Sequence, residues 1–287
     1  EVRGIRQMRP GPVESRKRVC QSAAIRRPPA SEVKAMEPIL KVEALTKTFS
    51  GQREIAAVNG ISFELFPGEC LAIIGESGSG KTTAVNMISR LTDVTTGSIF
   101  LEGQEITHWK GKQLRKVYRQ MQMVFQTPTD SFDPRRTLGD GIGESLRNAG
   151  LTRKETQKRV EALLEKCGLP GEFANRYPHQ VSGGQCQRAA IARALAIEPK
   201  LLICDEATSA LDVTVQKEII SLLNELRKQR GKNLSILFIC HDISLVQQFC
   251  DRVLVMYRGE IVEEGTPDAV IRAPKNDYTK RLIDSVL

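Results

Sequence analysis

Eight residues, Gly75-Glu76-Ser77-Gly78-Ser79-Gly80-Lys81-Thr82, constrain this chain more than any other segment. They follow the apolar run Cys70-Leu71-Ala72-Ile73-Ile74 and open a helix-compatible stretch, Lys81 to Arg90. Strand, glycine-rich turn and helix are the context in which the pattern GxxxxGK[ST] holds phosphate. The glycines let successive backbone N–H groups turn toward phosphate oxygens, and the helix N-terminus adds partial positive charge. Lys81 is spaced to reach the β- and γ-phosphates, and the Thr82 hydroxyl to bind Mg²⁺, with Thr83 next in the first helical turn. A glycine turn that merely capped a helix would not require the Lys-Thr pair. A bound nucleoside triphosphate is the expectation.

The net charge of +8 over 287 residues suggests a nucleic-acid binder until it is divided along the chain. Residues 1–35 hold nine Lys/Arg against three Asp/Glu, whereas the other 252 hold 33 basic and 31 acidic groups. The basicity belongs to the tail and not to the body, so no nucleic-acid partner is expected. Four prolines, no aromatic residue and little periodicity make residues 1–36 an expected disordered basic tail. Met36, directly before Glu37-Pro38, suggests a start codon read too far upstream; a membrane-surface or RNA-binding arm is the functional alternative. The tail lacks the apolar centre of a signal peptide, and no 18 consecutive apolar residues occur anywhere. The body is expected in the cytosol. The seven cysteines (Cys20, Cys70, Cys167, Cys186, Cys204, Cys240, Cys250) form no C-x-x-C pair and have no His at metal-ligand spacing. They read as reduced, structural thiols.

Short apolar runs alternate with helical patterns, which predicts an α/β fold. Strands are expected at Leu40–Thr46, Ile61–Leu65, Cys70–Ile74, Met121–Phe125, Leu201–Cys204, Ser235–Ile239 and Arg252–Met256. The hairpin-like start predicts an antiparallel flap beside a parallel core. Strand patterns are missing from about 128 to 199, where Thr152-Arg153-Lys154-Glu155 reads as a capping box and Val160, Leu163, Leu164 and Cys167 as an apolar stripe. That stretch is expected to be a helical insertion. Thr266-Pro267-Asp268 predicts a helix start, and Asp277 is placed to cap a last helix, Tyr278 to Val286.

Two further segments carry chemistry. Leu201-Leu202-Ile203-Cys204 ends in Asp205-Glu206, and a buried strand seldom finishes in adjacent carboxylates unless a cation faces them. Beyond a phosphate loop, the first acid serves Mg²⁺ and the second can accept a proton from the attacking water. Val181-Ser182-Gly183-Gly184-Gln185 is a second polar-glycine turn before a helix, hence a second anion site. One chain with one lysine-bearing loop does not need it; two chains facing head to tail do.

These motifs, in this order, strongly resemble the ATP-binding cassette (ABC) ATPases over residues 39–287. Their loop usually reads LSGGQ where this chain has VSGGQ. The resemblance implies a P-loop NTPase (RecA-like) core with an antiparallel β subdomain and an inserted helical subdomain. It divides the chain into an ABC ATPase domain over 37–265, its helical subdomain at about 128–199, and a short helical extension over 266–287. It implies that ATP and Mg²⁺ are bound, with Gly75–Thr83 on the phosphates and Thr82, Gln126 and Asp205 on the metal. Glu206 then acts as base, Gln126 touches the attacking water, and His241 bonds the γ-phosphate. Phe49 stacks on adenine. Ser209-Ala210-Leu211-Asp212 crosses a dimer interface, and Ser182, Gly183, Gly184 and Gln185 reach the nucleotide of the opposite chain.

Gln122–Pro128, Asp133–Leu138 and Ala273–Thr279 are similar to segments of the importers of peptides and nickel. Asn276 and Asp277 replace that group's His and second Pro, and the chain ends at Leu287 without its cysteine-containing extension, so no iron–sulfur cluster is expected. An importer subunit for peptides, nickel or a metal–chelate complex is the leading expectation. Its partners are membrane permeases, a second ATPase chain (a paralogue first, or a second copy) and, indirectly, an extracytoplasmic solute-binding protein. Its place is the cytoplasmic face of the membrane. A soluble assembly factor of the phosphonate-degradation type is the alternative.

Overall fold

The computed structural model describes residues 37–50, 54–207 and 211–285. The tail, and Ser209 and Ala210, lie outside the described residues. Four strands form an antiparallel sheet in the order β2-β1-β4-β5: β1 (Leu40–Phe49), β2 (Ile55–Leu65), β4 (Thr96–Leu101) and β5 (Gln104–Glu105). Six form the central sheet in the order β10-β9-β3-β8-β7-β6. These are β3 (Cys70–Ile74), β6 (Met121–Val124), β7 (Leu201–Asp205), β8 (Ser235–Ile239), β9 (Arg252–Tyr257) and β10 (Glu260–Gly265). All its pairs are parallel except β9–β10.

Every residue of β3, β7 and β8 is buried, which is why each reads as an unbroken apolar run instead of an alternation. Their side chains still obey the period of two. Cys70, Ala72, Ile74, Leu202, Cys204, Ile236 and Phe238 enter one core, and Leu71, Ile73, Leu201, Ile203, Leu237 and Ile239 the other. The second core continues into helix α1 (Lys81–Ile88) and the antiparallel sheet.

Three strands escape the pattern. β5 is only two residues long, β10 is acidic and β4 opens on Thr96-Gly97-Ser98, and their hairpins are set by turns: Glu102-Gly103 and Arg258-Gly259 each have both φ positive, the geometry of a tight two-residue hairpin. β10, with three glutamates, lies at the sheet edge, where charge discourages pairing with another chain.

Helix α2 (Gly111–Gln120) precedes β6. Between β6 and β7 the regular elements are helical, the longest being α3 (Leu138–Asn148), α4 (Arg153–Lys166) and α5 (Gly183–Leu195). Thr152 and Glu155 make the capping box at the start of α4. Its cap is worth about 1 kcal/mol, whereas each fully buried Val or Leu is worth about 1.5–3 kcal/mol. Buried Val160, Leu163 and Leu164 therefore hold α4 in place, and the cap decides only where it begins.

After α6 (Val213–Arg230) and α7 (Ile243–Phe249), Thr266 caps α8 (Pro267–Arg272). The last helix, α9 (Asp277–Asp284), departs from expectation: Asn276, not Asp277, is its cap. The Asn276 side chain accepts from the Tyr278 N–H at 2.8 Å, while Asp277 turns outward to Lys280, also at 2.8 Å. Two hydrogen bonds from the Lys275 and Asn276 N–H groups to Glu263 on β10 set this entry angle. Among the described residues no helix is long and apolar enough to cross a membrane.

Candidate active site

The phosphate loop joins β3 to α1 and is shaped by close approach. A Cβ on Gly75 would stand 2.2 Å from the Met256 carbonyl oxygen, and one on Gly80 would stand 2.3 Å from that of Ala57. Both glycines also have positive φ, +154° and +103°. Glu76, Ser77 and Gly78 are exposed at the rim, Ser79 is buried, and Thr82 is exposed at the start of α1 with Thr83 half-buried behind it.

Lys81 is 4% exposed. Its ammonium donates to the carbonyl oxygens of Gly75 (2.7 Å) and Glu76 (2.8 Å), with Ser79 Oγ at 3.5 Å. Burial lowers its pKa, and Glu206, Cys240 and Asp205 oppose that shift. A cation held by neutral carbonyls in a partly dry loop is poised for a stronger acceptor, and a triphosphate is one.

Asp205 closes β7. Its carboxylate is buried, and Oδ1 has no hydrogen-bond partner. Burial first, and the adjacent Glu206 second, push its pKa up to about 6 against the pull of Lys81. An orphaned carboxylate oxygen beside a second carboxylate fits a cation, so the donor set of Asp205, Thr82 and Gln126 suits Mg²⁺. The same burial makes Asp205 a cost to the nucleotide-free fold. Asp205→Asn should raise the melting temperature without nucleotide by a few degrees, since relieving about 1 kcal/mol moves a chain of this size by roughly 2–4 °C. Magnesium-dependent hydrolysis should be lost in the same protein, as calorimetry and an ATPase assay on one preparation can check.

Glu206 takes a positive φ of +46°, unusual for a residue with a side chain, and its N–H bonds the Ile239 carbonyl at 3.0 Å. That turn aims its carboxylate at two other predicted residues. Gln126 Nε2 donates to Glu206 Oε2 at 2.9 Å, and His241 Nδ1 lies 4.0 Å from the same oxygen. Gln126, Glu206 and His241 follow β6, β7 and β8, which are adjacent in the sheet. Parallel pairing therefore delivers all three to one edge, the carboxyl ends of the strands, where open α/β sheets bind ligands.

The other predicted residues lie apart from this cluster. Phe49 ends β1, 48% exposed, with Lys47 Nζ 5.1 Å from its ring centroid. Asp212 caps α6 through Thr214 and Val215, while Ser209 and Ala210 lie outside the described residues. Ser182 caps α5 in a capping box with Gln185. A Cβ on Gly184 would meet Val215 Cγ1 at 2.6 Å, so this turn packs on α6. Among the described residues no hydrogen bond or ion pair joins Ser182–Gln185 to Gly75–Thr82. Sequence reasoning missed Tyr278, whose hydroxyl accepts from the Glu76 N–H at 2.9 Å. No local signal announces a contact across 202 residues.

The model of the ABC transporter family matches residues 58–209. The oligopeptide transport ATP-binding protein OppF of Salmonella typhimurium is 45% identical over 236 residues, covering 82% of this chain and 70% of that protein. The chain belongs to the ABC transporter family. A glutathione import ATP-binding protein, GsiA of Salmonella paratyphi A, is 47% identical over 259 residues, but this ABC chain spans only 41% of its length. Among solved structures, the dimeric cassette MJ0796 in a post-hydrolysis state with ADP and phosphate superposes with a TM-score of 0.73 at 32% identity. It covers 79% of this ABC chain and 98% of that one. The ABC ATPase fold is thus a P-loop core with mixed α/β sheets, and its chemistry is ATP binding and hydrolysis.

Proposed function

We propose that the chain is the ATP-hydrolysing subunit of an ABC importer and that it powers uptake of peptides through partner permeases. The observation that carries the hydrolytic part is the Gln126–Glu206 hydrogen bond of 2.9 Å beside His241, at the strand edge that also presents Asp205. Glu206 accepts the proton of the attacking water, Gln126 orients that water, and His241 donates to the γ-phosphate. Asp205, Thr82 and Gln126 hold Mg²⁺, which when bound neutralises phosphate charge. Lys81 leaves its carbonyls for the β/γ-phosphates, and Phe49 offers its free face to adenine.

The relatives named for oligopeptide and glutathione import support peptides over nickel, and import over the assembly-factor alternative. In this reading the chain sits at the cytoplasmic face of the membrane, where permease subunits hold it and an extracytoplasmic binding protein acts through them. A cavity of about 340 Å³ between the core and the helical insertion is the proposed permease seat, with Leu91, Met123, Phe125, Glu144 and Arg193 on its walls. Leu91 and Phe125 are exposed apolar side chains there, suited to grip an apolar helix.

Two chains, a paralogue pair first or two copies, complete each other's sites. Ser182 and Gly184 of one chain close on the nucleotide of the other, and closure drives the permeases. Ser182→Arg tests this. It should leave ATP binding by the isolated chain intact and cut hydrolysis by the assembled complex at least about 10²-fold, the scale of losing one positioned transition-state donor. A Ser182→Arg complex that turns over ATP at the normal rate overturns the shared-site reading.

A further inference from the structure

One peptide unit of the phosphate loop is held at both ends. The Gly75 carbonyl accepts from Lys81 Nζ at 2.7 Å, and the N–H on the other side of that peptide bond, that of Glu76, donates to the Tyr278 hydroxyl at 2.9 Å. Tyr278 belongs to the last helix, α9, and is 4% exposed. Its ring stacks on Tyr257 with centroids 4.0 Å apart and planes 25° apart. Tyr257 ends β9, one residue after Met256, whose carbonyl is the atom that forbids a side chain on Gly75. The Asn276 cap and the two N–H bonds to Glu263 orient α9 so that the hydroxyl arrives at the loop.

We infer that Tyr278 is a positioning residue for ATP binding: its hydroxyl fixes the Gly75–Glu76 peptide, so that the loop keeps its shape when Lys81 leaves it for phosphate. An ammonium has three donors, and in this structure they face acceptors of the loop, namely Gly75 O, Glu76 O and Ser79 Oγ. Any hydrogen bond that Lys81 gives to phosphate is taken from these. Of the two side chains that hold the Gly75–Glu76 peptide, Tyr278 is then the one that remains. The hydroxyl thus contributes more to the nucleotide-bound state than to the free one, and only such a difference changes affinity. Holding the peptide in advance also reduces the ordering that binding must otherwise impose. The last helix therefore sets the ATP affinity of a loop about 200 residues away.

The experiment uses the full chain with Tyr278→Phe, which keeps the stacked ring and removes the hydroxyl. A fluorescent ATP analogue reports Kd, steady-state hydrolysis reports KM against kcat, and calorimetry reports the nucleotide-free melting temperature. The expected result is a Kd and KM for ATP raised about 3–10-fold, the fold-change one neutral hydrogen bond is worth, with kcat moving much less. Tyr257→Phe, which also keeps the ring pair, should bind ATP as wild type does. Wild-type affinity in Tyr278→Phe overturns the inference, and so does a lowered melting temperature with unchanged affinity, which would make Tyr278 a strut. If Tyr278→Phe fails to fold, a fluorinated tyrosine at 278 decides, because it weakens the oxygen as acceptor at nearly constant shape. Weaker ATP binding then supports the inference, and unchanged binding defeats it. The inference rests on residues 75–82 being an ATP site. A wild-type chain that binds no ATP would defeat that reading instead.

Discussion

Glu206→Gln should lower ATP turnover by about 10²–10⁴-fold, the usual contribution of a positioned general base. The substitution keeps the shape and removes the proton acceptor, so ATP binding should survive. The geometry makes the test clean. The Glu206 carboxylate accepts from Gln126 Nε2 at 2.9 Å and has His241 Nδ1 at 4.0 Å. Its backbone, held at a φ of +46° by the bond to Ile239, does not depend on the side-chain charge. Turnover and Kd for ATP measured on one preparation give the answer. Turnover within tenfold of wild type would show that another group takes the proton and that Glu206 only orients Gln126.

Lys81→Ala should fail one step earlier. A hydrogen bond to a charged group is worth about 1.5–3 kcal/mol, so losing a single contact to triphosphate weakens binding by roughly 10–150-fold at 1.4 kcal/mol per tenfold. The nucleotide-free fold should change little in comparison. Burial already disfavours the Lys81 charge, and its present acceptors are neutral carbonyls, not a partner charge. The measurement is the ATP-induced rise in melting temperature. A mutant protected by ATP as fully as wild type would remove Lys81 from the phosphate site. The two substitutions therefore separate binding from chemistry. Lys81→Ala loses the thermal shift, whereas Glu206→Gln keeps it and loses turnover.

How much of this could be read in the chain depends on distance along it. The Gly75–Thr82 turn and the Asp205-Glu206 pair were legible because each is a run of adjacent residues whose chemistry depends on that adjacency. Thr152 with Glu155 was legible for a related reason: a helix cap joins residues three apart, whereas the matching cap of Ser182 with Gln185 emerged only from the structure. Gln126 and His241 were not legible in that way. A lone glutamine or histidine after a strand has no local partner, and each became a candidate only through the resemblance to a family. The structure places both at Glu206 because β6, β7 and β8 are neighbours in a parallel sheet, an order that no local pattern encodes.

The misses have the same origin. β10 is an acidic strand paired on one side only, so its glutamates need not alternate with apolar residues, and Gly259 was the available clue to the turn before it. Asp277 and Asn276 are equally good caps by type, and the two N–H bonds that Glu263 accepts decided between them by fixing where the chain turns. By itself the sequence determined which chemistry the chain carries, because phosphate binding and helix starts depend on neighbours within about one turn. Only the tertiary structure decided which groups meet. It turned Glu206 toward Gln126, left the Asp205 oxygen without a partner, and brought Tyr278 to the Glu76 N–H, because burying β3, β7 and β8 on both faces leaves their carboxyl ends one shared edge.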